Sequence, residues 1–464
     1  MQLTEEQKFI GRRNFLKAVA TLPPLAGFAY TATNAGPVKA AIIGTGMEGR
    51  VLITNSTPKY MYLIGSYDIR PDNMKLGLDA IKQSGHSPNP KAYESYDQML
   101  EDTEVEAILI ASPLKYHGPM AIRALEAGKH VFTEKTMAFE VEECAKAVQI
   151  AREKNLNLQV GHQRFYNPLY WDAYRMFAEG LLGNVYHIRG LWHRNTDWNY
   201  WIHVNPDLKQ ELLAMDPTKY GYKDIQQLVN WRWYSPVSRG MWTELASHQL
   251  AITNWFFGDE APIAVQASGG KCKSQLDQDM LPDYTSIGDE AKRAEHRGYT
   301  VDDRDVDDHI YAIYEYSNKR TVTYSAIQSN RFDNYYEQIM GTRATIILSN
   351  ENETYLFWES GWDETKSKKA GQETKVEIAK EDAAGAAFQA HNTGGAATGG
   401  GGSASFSPYD PYRWELEGFA HTIRTGAPNL CDGVRGTLAA LACIRGQEAL
   451  ASGQKVKIER PAGI

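Results

Sequence analysis

Hydrophobic and polar positions fall into two regimes along the 464 residues. In the first, short apolar runs alternate with stretches of helical period. Ala40 to Ile43 runs straight into Gly44-Thr45-Gly46-Met47-Glu48-Gly49, after which Arg50 to Ile53 can open a helix. A second run, Met61 to Tyr67, ends in Asp68, nineteen residues past Gly49. Glu106 to Ala111 reads as a buried parallel strand that stops at Ser112-Pro113. Gly118 to Ala127 then sets Met120, Ala121, Ala124 and Leu125 at helical spacing before Gly128. Lys129 to Thr133 is another short strand, Val141, Cys144, Val148 and Ala151 repeat with helical period, and Asn155 to Val160 alternates like a strand. This βαβ order predicts a doubly wound parallel sheet over roughly residues 37 to 160.

The second regime has strands without intervening helices. Asp308 to Tyr316 and Arg320 to Ile327 read as two strands joined at Ser317-Asn318-Lys319, and Ala344 to Leu348 as a third, which predicts an open, largely antiparallel sheet. Residues 383–407 are mostly Gly, Ala and Ser, the composition of a flexible loop. Trp414, Leu416, Phe419 and Ile423 resume a helical pattern that Gly426 ends, and a second helix follows from Val434 to Ala451. A chain of this length needs more than one core, so an α/β protein of two domains is expected.

The first glycine loop carries chemistry. Gly44 permits the turn, Gly46 lets a pyrophosphate approach the backbone, and Gly49 lets helix and strand pack closely. Asp68 can accept bonds from both hydroxyls of an adenosine ribose, which favours NAD; Arg70 nearby can accept a 2′-phosphate and leaves NADP open. Candidate cofactor contacts here are Gly44, Gly46, Met47, Gly49, Asp68 and Arg70.

Charge and cysteine usage exclude other classes. Asp and Glu outnumber Lys and Arg 57 to 49, a net charge of -8 with no basic block, so no nucleic-acid partner is expected. Cys144, Cys272, Cys431 and Cys443 form no C-x-x-C pair and have no histidine at ligand spacing, so no metal is expected. The first 35 residues stand apart: Gly11-Arg12-Arg13-Asn14-Phe15-Leu16-Lys17 precedes a mildly apolar stretch broken by Pro23, Pro24 and Gly27, too short to span a membrane. This segment resembles a twin-arginine export signal, with Gly11 where Ser or Thr is usual. It implies periplasmic delivery as a folded protein, a route that suits a tightly bound cofactor. The domains expected are a signal over 1–35, a dinucleotide-binding domain over 36–160, and a substrate and oligomerisation domain over 161–464 whose last helices, 412–464, return.

Residues 107 to 168 resemble the glucose-fructose oxidoreductase and inositol dehydrogenase family. The likeness rests on Ala107 to Pro113, His117, Ala124 to Val131, Glu134-Lys135, Gly161-His162-Gln163-Arg164 and Asn167-Pro168, with later markers at Gly240 to Gly258, Ile339 to Thr342, and Leu416 to Ile458. The resemblance implies an N-terminal Rossmann domain, a C-terminal α/β domain whose sheet often joins subunits, and further cofactor contacts at Ser112, Pro113, His117 and Glu134. It implies that Lys135 stands by the nicotinamide and the reacting oxygen, although Thr136 replaces the family's proline. It also implies a proton-transfer pair, with Glu244 in place of the family's aspartate and His248 retained. At i, i+4 spacing the carboxylate is expected to orient the imidazole that takes a hydroxyl proton. His117 and His162 stay open between structural and functional roles.

Six of the eleven tryptophans lie between Trp192 and Trp242, interleaved with polar residues. Flat aromatic faces pack on sugar rings while the groups between them bond hydroxyls. Substrate contacts are therefore expected at Arg164, Trp198, Trp201, Trp231 and Arg232. The whole reading is an exported oxidoreductase acting on a secondary hydroxyl of a sugar, glycoside or polyol, with its dinucleotide held and recycled. Two alternatives remain: a glycosidase that oxidises its sugar transiently, and a non-catalytic sugar binder.

Overall fold

The computed structural model describes residues 3–20, 22, 35–195, 206–271, 304–372 and 410–464. The Gly/Ala/Ser stretch 383–407, Trp198, Trp201 and Cys272 lie outside the described residues. The apolar runs of the first regime become strands β1 (Val38–Ile43), β2 (Met61–Tyr67), β3 (Lys91–Ala92), β4 (Ala107–Ile110), β5 (His130–Glu134) and β6 (Leu158–Gly161). They form one parallel sheet in the order β3-β2-β1-β4-β5-β6. Burial on both faces explains their continuous apolar character; all four residues of β4 are buried. Helices Met47–Asn55, Pro71–Gln83, His117–Glu126 and Val141–Glu153 follow their strands. Strand order reverses between β1 and β4, which opens a crevice at the strands' carboxyl ends. The glycine loop, Ser112 and the end of β5 all open onto that crevice edge.

The second sheet contains β7 (Val185–His193), β8 (Ala264–Gly270), β9 (His309–Glu315), β10 (Thr321–Ile327), β11 (Tyr335–Gly341), β12 (Ala344–Ser349), β13 (Glu353–Trp358) and β14 (Val456–Lys457). Its order is β13-β12-β11-β7-β10-β9-β8-β14, antiparallel throughout except for the parallel pair β7 and β10. Ile188, Trp192, Val322, Tyr324, Ala326, Ile310, Ala312 and Tyr314 share the inner face by register; His187, Arg189, Thr323, Tyr311 and Ile313 share the outer one. Helix Ser247–Phe256 lies under the inner face and is buried at every position, as its apolar composition on all sides requires. Trp255 anchors it, stacked on Tyr174 at 4.2 Å and edge-on to Trp171 at 4.8 Å.

The last helices tie the two sheets together. Pro411–Thr425 buries Leu416, Phe419 and Ala420 against Val38, Ala40, Ile42 and Phe132 of the first sheet. Gly433–Ser452 brings Gly436 so close to Val160 that a Cβ would sit 2.3 Å from it, while Tyr314 on β9 donates to the Ala442 carbonyl at 2.9 Å. At the other end, helix Glu5–Ala20 lies against β13, with Phe15 and Ala18 buried. Among the described residues no helix is long and apolar enough to cross a membrane, and no group of His, Cys, Asp and Glu is placed to hold a metal.

Candidate active site

The glycine loop assigns its three glycines different tasks. Gly44 has φ +84°, and a Cβ there would lie 2.6 Å from the Ala111 carbonyl; at Gly49 it would lie 1.9 Å from the Gly44 oxygen. Both positions are closed by the protein itself. A Cβ on Gly46 would meet only Asn73 Nδ2, at 3.8 Å, so the backbone there is open to a ligand's approach. That opening, at the start of helix Met47–Asn55, fits a pyrophosphate. The Met47 side chain is exposed at the start of that helix.

Asp68 closes the loop from the end of β2. Its Oδ2 accepts from the Thr45 N–H at 2.7 Å and its Oδ1 from the Arg70 N–H at 2.8 Å. Oδ2 also lies 3.3 Å from the Thr45 hydroxyl, so Oδ1 is the oxygen that keeps lone-pair capacity for a ribose hydroxyl. Arg70 Nε donates to the buried Asp72 carboxylate at 3.1 Å, so its guanidinium is held beside an anion. His117 does not point into the crevice: its ring nitrogens lie 2.8 Å from the Thr136 carbonyl and 2.6 Å from the Ser112 carbonyl. It braces the end of β4 against the turn after β5. The Ser112 hydroxyl is buried without a protein partner beside that brace.

The reactive end is built where β5 meets the turn Trp242–Ala246. Lys135 Nζ donates to the Glu244 carbonyl at 3.0 Å, Thr136 Oγ1 donates to the Thr243 carbonyl at 2.8 Å, and the Lys135–Thr136 peptide is cis. Glu134 Oε2 accepts from the Lys135 N–H at 3.1 Å, while its Oε1 is buried and unbonded. His248 is buried, with its ring 5.2 Å from that of Trp192 and 6.0 Å, edge-on, from that of His162. Burial, and after it the Lys135 ammonium, depresses the His248 pKa well below that of a free histidine, and the same causes bring His162 down to about 3. Both rings are therefore neutral near pH 7.

The expected Glu244–His248 pair does not form. Glu244 sits in a π-helical turn and its Oε2 accepts from Arg232 Nε at 2.8 Å, leaving His248 Nδ1 without a partner. The nearby guanidinium wins: burial pushes the Glu244 carboxyl up, but Arg232 and Lys135 more than offset this and its pKa falls. Arg164 is also corrected. It is fully buried beneath the second sheet, paired with Glu337 and, at 2.8 Å, with Glu351, while Tyr170 donates to Glu337 at 2.7 Å. A guanidinium buried between two carboxylates is held in the packing beneath the sheet. Trp231 is half-buried beneath the Arg232 guanidinium, 4.2 Å from its ring centre, so these two do flank the site through Glu244. Trp198 and Trp201 fall outside the described residues.

Three features escaped the sequence reading. Trp192 packs on His248, as just described. Glu48, inside the glycine motif, turns inward: burial raises its pKa against the pull of Lys135 and Arg232. Glu415 arrives from helix Pro411–Thr425 with both oxygens buried and unbonded, and burial and then Glu134 push its pKa well up. With Glu134 they form a patch of carboxyls behind Lys135. Nothing in local spacing links Glu48 to Glu415; only the return of the last helix does.

Comparison with known proteins bears on the two domains that hold this site. A family model described as an oxidoreductase family with an NAD-binding Rossmann fold matches residues 38–162, and its companion for the C-terminal alpha/beta domain matches residues 212–458. An uncharacterized oxidoreductase of Streptococcus pneumoniae is 24% identical over 317 residues, 67% of this chain and 68% of that protein. An alpha-N-acetylgalactosaminidase of Tannerella forsythia is 30% identical over 213 residues, 44% of each chain. Among solved structures, a levoglucosan dehydrogenase in complex with NADH and levoglucosan shares the fold, with a TM-score of 0.64 over 91% of this chain and 100% of that one at 17% identity.

Proposed function

The chain belongs to the oxidoreductase family that joins an NAD-binding Rossmann domain to a C-terminal α/β domain, and from that premise we propose that it oxidises a secondary hydroxyl of a sugar, glycoside or polyol. The observation that carries this reading is that Lys135, just past β5, is anchored on the Glu244 carbonyl four residues before the buried His248, on the crevice edge where the glycine loop opens at Gly46. A dinucleotide bound there supplies the hydride acceptor. Lys135, anchored by the Glu244 carbonyl, holds the substrate oxygen and stabilises its developing charge. His248, neutral and with Nδ1 unbonded, accepts the hydroxyl proton. Asp68 favours NAD by repelling a 2′-phosphate, and Arg70 cannot freely answer because Asp72 holds it.

The twin arginines support export to the periplasm, where no substantial dinucleotide pool exists. The cofactor is then tightly held and regenerated in place, by a second carbonyl substrate or by return of hydride to the same sugar. The glycosidase relative favours weighing the second route, in which oxidation at C3 acidifies the C2 proton, the aglycone leaves, water adds and hydride returns. Self-association through the outer face of the second sheet, where Tyr311 and Ile313 are about half-exposed, completes the proposal.

The test is turnover of glycosides by NAD-loaded protein with no added nucleotide. Many turnovers per protein are expected. Equal amounts of oxidised sugar and reduced acceptor identify the first route; a cleaved glycoside with solvent deuterium at C2 identifies the second. A need for stoichiometric free NAD overturns the recycling, and a protein that binds no dinucleotide overturns the whole reading.

A further inference from the structure

Ahead of the turn Trp242–Ala246, residues 210–230 fold around a small core of their own, in which Leu212, Tyr222, Leu228 and Val229 are buried together, separately from the cores that fill the two domains. Trp233 and Tyr234, just beyond, are buried in the larger core and fix that end of the segment. Among the described residues, Ile69 and Tyr116 of the dinucleotide-binding domain pack against the small core, and helix Pro206–Leu213 rests on helix Pro71–Gln83. Sheet order sets β2 and β4 on either side of β1 and its glycine loop. Ile69 follows Asp68 just past the end of β2, and Tyr116 closes the 3₁₀ turn Leu114–Tyr116 that leaves β4. The segment therefore reaches both connections that flank the glycine loop. Tyr116 grips it: the phenol donates to the Tyr220 carbonyl at 2.5 Å, its ring lies 5.8 Å from that of Tyr222, and a Cβ on Gly221 would lie 3.2 Å from its hydroxyl.

A dinucleotide whose pyrophosphate meets Gly46 and whose ribose meets Asp68 carries its adenosine end between the connections after β2 and β4. A segment joined to those same two connections lies in the path by which that end arrives and departs. With a core of its own and one end fixed, such a segment lifts as a unit rather than residue by residue.

We infer that residues 210–230 are a strap over the adenosine end of the cofactor site, latched by Tyr116, and that nucleotide enters and leaves only when the strap lifts. This rests on the proposed reading, in which a dinucleotide lies on the glycine loop, and gives its retention a physical cause. The experiment uses the full chain. NADH-loaded protein is mixed with excess NAD, and the change in nucleotide fluorescence gives the dissociation rate; protein freed of nucleotide with charcoal and mixed with NADH gives the association rate. Tyr116→Phe keeps the ring on Tyr222 and loses the bond to Tyr220. A latch bars entry and exit alike, so this variant should speed both rates by about tenfold, the worth of one good hydrogen bond, and leave the dissociation constant nearly unchanged. Unchanged rates in Tyr116→Phe overturn the strap. So does a rise in dissociation alone, which would make Tyr116 an ordinary contact of the nucleotide. Glycoside turnover separates the two ideas. Faster exchange in a protein that oxidises no glycoside leaves the strap standing and sinks hydride transfer, turnover with unchanged exchange does the reverse, and a protein that binds no NADH overturns both.

Discussion

At the scale of single residues, the proposed reaction separates groups that act on substrate from groups that hold those in place. Lys135→Ala and His248→Ala should each lower turnover roughly a hundredfold or more while bound dinucleotide is retained, since neither belongs to the glycine loop. Steady-state rates and the nucleotide released on denaturation check both. The buried Glu415 gives a different signature. Its pKa is raised above the ordinary 4.5, so the fold keeps the acid protonated while the unfolded chain ionises it. Stability attached to it is full below about 4.5 and is lost as pH rises toward the folded value. Glu415→Gln, which mimics the neutral acid, should therefore raise the melting temperature at pH 8 and do little at pH 4, as calorimetry at the two pH values would show; equal effects at both would refute it. The place of Lys135 at the end of β5 could be read from the sequence because its whole motif is contiguous. Arg164 could not, because Glu337 and Glu351 approach it from strands far along the chain, and no local pattern separates a buried guanidinium from one that meets substrate.

At the scale of elements, apolar period located most strands of the first sheet within a residue or two, since those strands are buried on both faces. β7 was missed: its residues alternate only loosely and its parallel partner β10 lies well over a hundred residues away. The π-helical turn Trp242–Ala246 was equally invisible, and it is where Glu244 leaves His248 for Arg232. The expected pair assumed regular helix and no competing cation. Arg164 is the buried tie between the 3₁₀ turn after β6 and β11. Arg164→Met should destabilise the protein by about 3–5 kcal/mol by stranding the Glu337 charge, and adding Glu337→Gln should recover part of the loss. Denaturant midpoints of the two variants decide it; a double variant no better than the single one would mean that Arg164 acts through packing alone.

At the scale of the whole molecule, the N-terminal segment connects the fold to the export proposal. Helix Glu5–Ala20 lies against β13, an outermost strand of the second sheet, and Asn14 Nδ2 donates to the Leu356 carbonyl at 3.3 Å. A Cβ on Gly11 would meet Tyr355 and Phe357 below 3.0 Å, so the helix sits as close as glycine allows. Leu3 packs on the outer cluster of Leu191, Tyr336, Ile347 and Tyr355. Arg12 pairs with Glu353. An unpaired edge strand beside an apolar patch invites another chain, and this helix covers both. If residues 1–35 are removed on export, that cover goes with them. The truncated protein should keep its cooperative unfolding, because the glycine loop and nearly all of the core are built from residues beyond 35, the first segment adding Phe15, Ala18 and Leu22 to it. It should also self-associate more strongly than the full chain. Light scattering at matched concentrations is the measurement: a higher molar mass for the truncated form is expected, reversed by adding a peptide of residues 3–20. Equal masses would mean that the helix covers nothing another copy can use, and loss of cooperative unfolding would make it a permanent part of the fold, in conflict with a cleaved signal.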